Sequence, residues 1–179
     1  MVLQAIKYKR GELRILDQLK LPYQEEFLDI SSPQDAWDVI KKMQVRGAPA
    51  IAIVAALSVA IWLQRENYIG NDTGSNQQND LVRSIREKLD YLVASRPTAV
   101  NLSDAAVKLE KLVLASSQQQ GANARSIAED YIAAAEQMLV SDVEDNENIG
   151  RHGAEWLLRS TNAGSPQKPI SILTHCNTG

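Results

Sequence analysis

The sequence predicts an α/β fold in two parts: a small N-terminal β meander with a helical domain, then a linker and the opening of a second domain at a parallel-type strand. Three observations carry this. Short β-patterned runs flank a Lys9-Arg10-Gly11 turn, and apolar residues at helical spacing fill most of the chain between residues 33 and 160. The last segment, Pro169-Ile170-Ser171-Ile172-Leu173-Thr174, reads as a buried strand running into the turn-prone Asn177-Thr178-Gly179. The boundaries fall at residues 1–160 for the β/helical domain, 161–168 for a linker of composition Thr-Asn-Ala-Gly-Ser-Pro-Gln-Lys, and 169–179 for the start of the second domain.

Residues 2–8 and 12–16 flank the first turn as two strands, and Phe27-Leu28-Asp29-Ile30 supplies a third. Ser32 before Pro33, with Asp35 in the first turn, starts a helix: the hydroxyl accepts from orphan N–H groups, and Pro at the first helical position forfeits no needed donor. Its apolar face is Ala36, Trp37, Ile40 and Met43. The helix breaks around Val45-Arg46-Gly47-Ala48-Pro49, since Gly is a weak helix former and the residue before Pro is pushed out of the α region. A second helix runs from Pro49 or Ala50 to Gln64, apolar on nearly every side, which predicts burial among neighbours; the apolar stretch 48–63 is short for a membrane span.

Residues 66–80, rich in Asn, Gln, Gly and Ser, read as a solvated connection. Helical spacing returns at Leu81, Ile85, Leu89 and Leu92, stops at Ser95-Arg96-Pro97, and resumes from Leu102 to Val113 with Asn101 as N-cap. Ile127, Tyr131, Ala134, Ala135, Met138 and Leu139 mark another long helix. After an Asp-rich stretch, residues 149–160 form one more helix or its continuation.

Composition excludes whole classes of function. Nineteen Lys+Arg against 22 Asp+Glu leave a net charge of -3, which gives no general attraction for nucleic acid or anionic membrane. One cysteine among 179 residues rules out internal disulfides and points to a reducing, cytoplasmic setting. The N-terminus lacks the basic, apolar and cleavage regions of a secretory signal. Two His and one Cys, dispersed along the chain, do not compose a zinc site.

The chemistry concentrates at helix breaks and at the final loop. Arg46-Gly47-Ala48-Pro49 and Arg96-Pro97-Thr98-Ala99 each pair a guanidinium with a helix start, where unpaired N–H groups and the positive dipole end favour an anion such as phosphate. Solvated arginines at two ordinary helix ends are the plainer reading, and both readings stand at this level. Cys176 reads either as a small buried hydrophobe or as a reactive thiol at the carboxyl end of a strand, where ligands of open α/β sheets collect. His175 beside it points to the opposite face if the strand continues. His152 reads as a surface or capping residue, and Asp142, Glu144, Asp145 and Glu147 as a solvated helix face or an oligomer contact.

Four segments in order are more specific than any one of them: Leu16-Asp17-Gln18-Leu19-Lys20-Leu21-Pro22, Val45-Arg46-Gly47-Ala48-Pro49-Ala50-Ile51-Ala52, Arg96-Pro97-Thr98-Ala99-Val100-Asn101, and Leu173-Thr174-His175-Cys176-Asn177-Thr178-Gly179. Together they resemble the methylthioribose-1-phosphate isomerase family of methionine salvage, over the whole of this chain but only about the first half of a typical member. The resemblance implies conversion of 5-methylthioribose 1-phosphate to its ketose, 5-methylthioribulose 1-phosphate, with no cofactor or metal. It implies Cys176 as the catalytic cysteine, and Arg46, Gly47, Ala48 and Arg96 as substrate contacts. It further implies a homodimer, a cytoplasmic and, in a eukaryote, also nuclear location, and a Rossmann-like second domain carrying a general acid/base aspartate beyond residue 179. The expectation for residues 1–179 alone is an incomplete, inactive fragment. Two alternatives stay open: a noncatalytic regulatory subunit of the same superfamily, which includes subunits of a translation-initiation exchange factor, and a small helical interaction module.

Overall fold

A computed structural model describes residues 3–66, 68, 75–161 and 170–173, with the backbone alone for 75–77 and 161. Three strands, β1 (Ile6–Lys9), β2 (Glu12–Leu16) and β3 (Phe27–Asp29), form an antiparallel meander in the order β1-β2-β3. Register pairs Ile6 with Ile15 and Arg14 with Asp29, so Leu13 and Ile15 both point from β2 into the core. Gly11 closes the β1–β2 turn at φ +89, a conformation that side chains rarely adopt.

Five helices complete the described chain: α1 (Pro33–Lys41), α2 (Ala48–Arg65), α3 (Ser75–Val93), α4 (Val100–Ser117) and α5 (Ala124–Thr161). The α1 start is as expected, with Ser32 Oγ accepting the Asp35 N–H at 3.2 Å. Its buried face is Ala36, Val39 and Ile40. Trp37 is half-buried and stacks on Tyr91, while Met43 lies past the helix end and is exposed, against expectation. The cause is the helix terminus: Met43 takes φ 59, its N–H donates to Ile40 O, and the Gln44 N–H donates to Val39 O. This is the Schellman ending, and it turns the chain out of the helix.

Helix α2 is the axis of the domain. Twelve of its 18 residues are buried, and α1, α3, α4 and α5 all pack on it. It is longer than the apolar stretch alone suggests and reaches the length of a membrane span, but its apolar circumference is enclosed by protein. Leu81, Ile85, Leu89 and Leu92 of α3 are buried as the spacing requires. The helix begins at Ser75, so residues 75–80 are not loop; Gln78 is half-buried and its side-chain amide donates to Ser117 O at 2.8 Å, while Asn79 and Asp80 are exposed. On α4 the N-cap is Ala99, with no side-chain cap bond, and Asn101 sits inside the first turn instead of capping it. The last helix is continuous for 38 residues.

The meander is fastened to the bundle by charge. Arg10 pairs with Glu136 at 2.9 Å and Glu129 at 3.2 Å, and the Tyr8 hydroxyl donates to Glu136 at 2.9 Å. Residues 170–173 form no strand, and Ile170, Ile172 and Leu173 are exposed, contrary to the expected buried strand. A parallel strand needs neighbours to complete its hydrogen-bond ladder, and among the described residues none lies beside it.

Candidate functional site

The starts of α2 and α4 differ from that of α1. Neither has a side-chain cap bond and neither has an acidic residue in its first turn. In α2 the N-cap is Gly47 at φ 96, which lets backbone turn into the helix without a β-carbon; the first closing bond is Ile51 N–H to Gly47 O at 3.0 Å. The amides of Ala48 and Ala50 therefore precede the helical ladder, and Pro49 has none to lose. In α4 the first closing bonds run from Leu102 and Ser103 to Ala99 O, leaving Val100 and Asn101 ahead of the ladder. Pro49 and Asn101 line one cleft of about 490 Å³, so the two uncapped helix starts open on the same space.

Arg46 lies two residues before α2 and is half-buried, with Nε donating to Met43 O at 3.2 Å. Arg96 lies four residues before α4, also half-buried, its carbonyl accepting from the Ala99 N–H at 2.9 Å. Arg10, Arg14, Arg83, Arg86 and Arg159 are each in an ion pair; among the described residues Arg46 and Arg96 are not, nor are Arg65, Arg125 and Arg151, so it is the helix start beside each that sets Arg46 and Arg96 apart. Neither arginine lines the cleft itself, but each sets a guanidinium without an acidic partner next to a helix N-terminus, a pairing suited to an anion such as phosphate. Gly47 is half-buried and Ala48 is exposed beside them. Cys176 and His175 lie outside the described residues.

The cleft is also lined by Ala52, Ile53, Leu109 and Met138 and by three aspartates, Asp104, Asp142 and Asp145, with Lys108 paired to Asp104 at 2.7 Å. Asp104 lies three residues after Asn101 on α4, so negative charge stands close to the α4 start as well. Asp142 and Asp145, read from sequence as a solvated face, thus border the cleft, while Glu144 and Glu147 do face solvent. His152 is exposed on α5, near Arg151 at 3.2 Å.

A buried group escaped the sequence reading. Asp17 is 3% exposed, accepting the Gln44 side-chain amide at 2.8 Å and the Leu19 N–H at 3.1 Å. The available signal was an acid directly after the apolar β2 pair Ile15-Leu16, where a solvated carboxylate is out of place.

The chain is 55% identical over its full length to methylthioribose-1-phosphate isomerase of Pyrenophora tritici-repentis, covering 44% of that protein, and 53% identical over 99% of its length to that of Neosartorya fischeri, covering 45%. It therefore spans less than half the length of the curated relatives it matches. Among solved structures, 5-methylthioribose 1-phosphate isomerase from Pyrococcus horikoshii superposes with TM-score 0.73 at 27% identity, over 86% of this chain and 40% of that one. The delta subunit of translation initiation factor eIF-2B from A. fulgidus superposes with TM-score 0.70 at 29% identity, over 87% and 42%. Residues 44–179 match the initiation factor 2 subunit family, and the chain belongs to that family.

Proposed function

We propose that this chain is the N-terminal, substrate-holding part of an aldose–ketose isomerase that converts 5-methylthioribose 1-phosphate to 5-methylthioribulose 1-phosphate. The reading is supported by the naming of the relatives at 55% and 53% identity. The observation that carries it is the pair of uncapped helix starts opening on one cleft, each preceded by an arginine free of ion pairs among the described residues. Arg46 and Arg96, with the amides of Gly47 and Ala48, hold the phosphate and the sugar oxygens near it. Phosphorylation of the anomeric oxygen prevents the sugar from opening as a free aldose does, so the ring bond must be broken with help while hydrogen moves from C2 to C1. Cys176 is the residue of this chain assigned to that step, with an aspartate of a Rossmann-like second half as its acid/base partner. One group can carry the proton from C2 to C1, and a second is needed because the ring oxygen must take up a proton as the C1–O bond breaks.

The complete gene product, incubated with 5-methylthioribose 1-phosphate and followed by NMR, should form the ketose. Arg46→Ala and Arg96→Ala should each lower kcat/KM by roughly tenfold to a hundredfold, equivalent to about 1.5–3 kcal/mol for a lost hydrogen bond to a charged group. Unchanged kcat/KM in both variants would reduce the arginines to helix-end residues. The likeness to the eIF-2B delta subunit favours a second reading, a noncatalytic regulatory subunit, for which the same assay gives no turnover even with phosphate bound. A homodimer and a cytoplasmic, in part nuclear, location belong to the isomerase reading and are tested by sedimentation and by imaging of the tagged protein.

A further inference from the structure

We infer that Asp17 is a positioning residue for Arg46, acting through Gln44; this rests on the reading that Arg46 and the α2 start receive the phosphate. The connection from α1 to α2 is held from three sides. The Schellman bonds from Met43 and Gln44 tie it to α1, and the Gln18 N–H donates to Gln44 O at 2.9 Å. The Gln18 side-chain amide reaches Arg46 O at 3.5 Å, and Arg46 Nε closes back on Met43 O at 3.2 Å. Asp17 sits beneath this loop with one carboxylate oxygen on Gln44 Nε2 and the other on the Leu19 N–H.

Asp17 is the one carboxylate among the buried polar residues described; Ser58, Ser95 and Ser116 are the others. Removing a carboxylate from water is costly, and an apolar side chain in such a place is commonly as stable or more so. What a buried carboxylate adds is direction: both of its acceptors are used, and each fixes a different segment, residues 17–19 on one side and 43–46 on the other. The loop so fixed contains a non-glycine residue at positive φ, whose strain the surrounding bonds must hold. The Gln44 side chain cannot slide without abandoning a buried charge, so the backbone carrying Arg46 and Gly47 has one position relative to α2. That is the preorganisation a phosphate-binding loop needs.

The test uses the complete gene product, assayed well below the melting temperature of each variant. D17N turns the acceptor facing Gln44 into a donor, or loses the Leu19 acceptor, and should lower kcat/KM about tenfold to a hundredfold, chiefly through KM. D17N/Q44E restores a hydrogen bond of reversed polarity and should recover most of the loss. D17N in an Arg46→Ala background should add little, because its effect passes through Arg46. Wild-type kcat/KM in D17N, failure of Q44E to rescue, or a D17N loss that simply adds to that of Arg46→Ala would each overturn the proposal. If D17N does not fold, Gln44→Ala removes the same contact, with the same loss expected and wild-type kcat/KM overturning the idea. If the wild-type protein has no isomerase turnover, the functional reading fails on its own. The positioning is then read by NMR, where D17N should shift the Gly47 and Ala48 amide resonances, and unmoved resonances would refute it.

Discussion

Among single residues, Met43 and Tyr8 show how position changes chemistry. Met43 occupies the left-handed position of a Schellman ending, where glycine is usual because a β-carbon is strained there. Met43→Gly should therefore raise stability by about 0.5–1 kcal/mol, the relief of strain exceeding the added freedom of the unfolded chain. A lower urea midpoint in that variant would show that the exposed thioether side chain contributes more than the strain costs. The Tyr8 hydroxyl is pushed from its ordinary value of 10.0 up to about 12, first by burial and then by Glu136, against the lowering effects of Gln64 and Arg10. Burial pushes Tyr131 in the same direction. A folded state that keeps its phenol protons longer than the unfolded chain is unaffected below about pH 10 and loses stability from there up to about pH 12. Urea midpoints across that range should fall with pH, and less steeply in Tyr8→Phe; an equal slope in the variant would remove Tyr8 as a cause.

Among the helices, α2 and α5 are opposites. Leu57 of α2 is fully buried, with Ile53 and Ile61 one turn to either side, so Leu57→Ala should cost roughly 2–5 kcal/mol as transfer and cavity terms add. A loss below about 1 kcal/mol would mean that the neighbouring helices collapse onto the gap. Helix α5 changes character along its length. Ile127, Ala128, Tyr131, Ile132 and Ala135 are fully buried, the Tyr131 hydroxyl reaching Ala56 O at 3.4 Å, whereas Val143, Ile149, Trp156 and Leu158 are exposed. Hydrogen exchange should accordingly be slow over residues 127–135 and much faster over 146–160, where no described residue is buried to anchor the helix. Equal protection along the helix would indicate a partner covering its second half.

For the molecule as a whole, the proposed reading places the acid/base partner of Cys176 in a Rossmann-like second half, so residues 1–179 by themselves are expected to show no isomerase turnover. Turnover by purified 1–179 protein that disappears in Cys176→Ser would overturn that expectation. The meander, the α1 cap at Ser32, the burial of the apolar middle of α2 and the breaks before Pro49 and Pro97 were all legible in the sequence. Each follows from rules acting within a few residues: alternation, helical period, capping and the backbone limits of Gly and Pro. The same rules marked Arg46 and Arg96, but left them balanced between solvated helix ends and an anion site. Packing alone established that the two helix starts share one cleft, that Asp104, Asp142 and Asp145 also line it, and that Asp17 is buried beneath the Arg46 loop. Asp17 and Gln44 are 27 residues apart in the chain. Periodicity does not report which distant segments meet, since that depends on how α1, α2 and the meander pack. The strand expected at residues 170–173 failed for the same reason: its apolar pattern is local, but a strand exists only where other strands complete its hydrogen bonds.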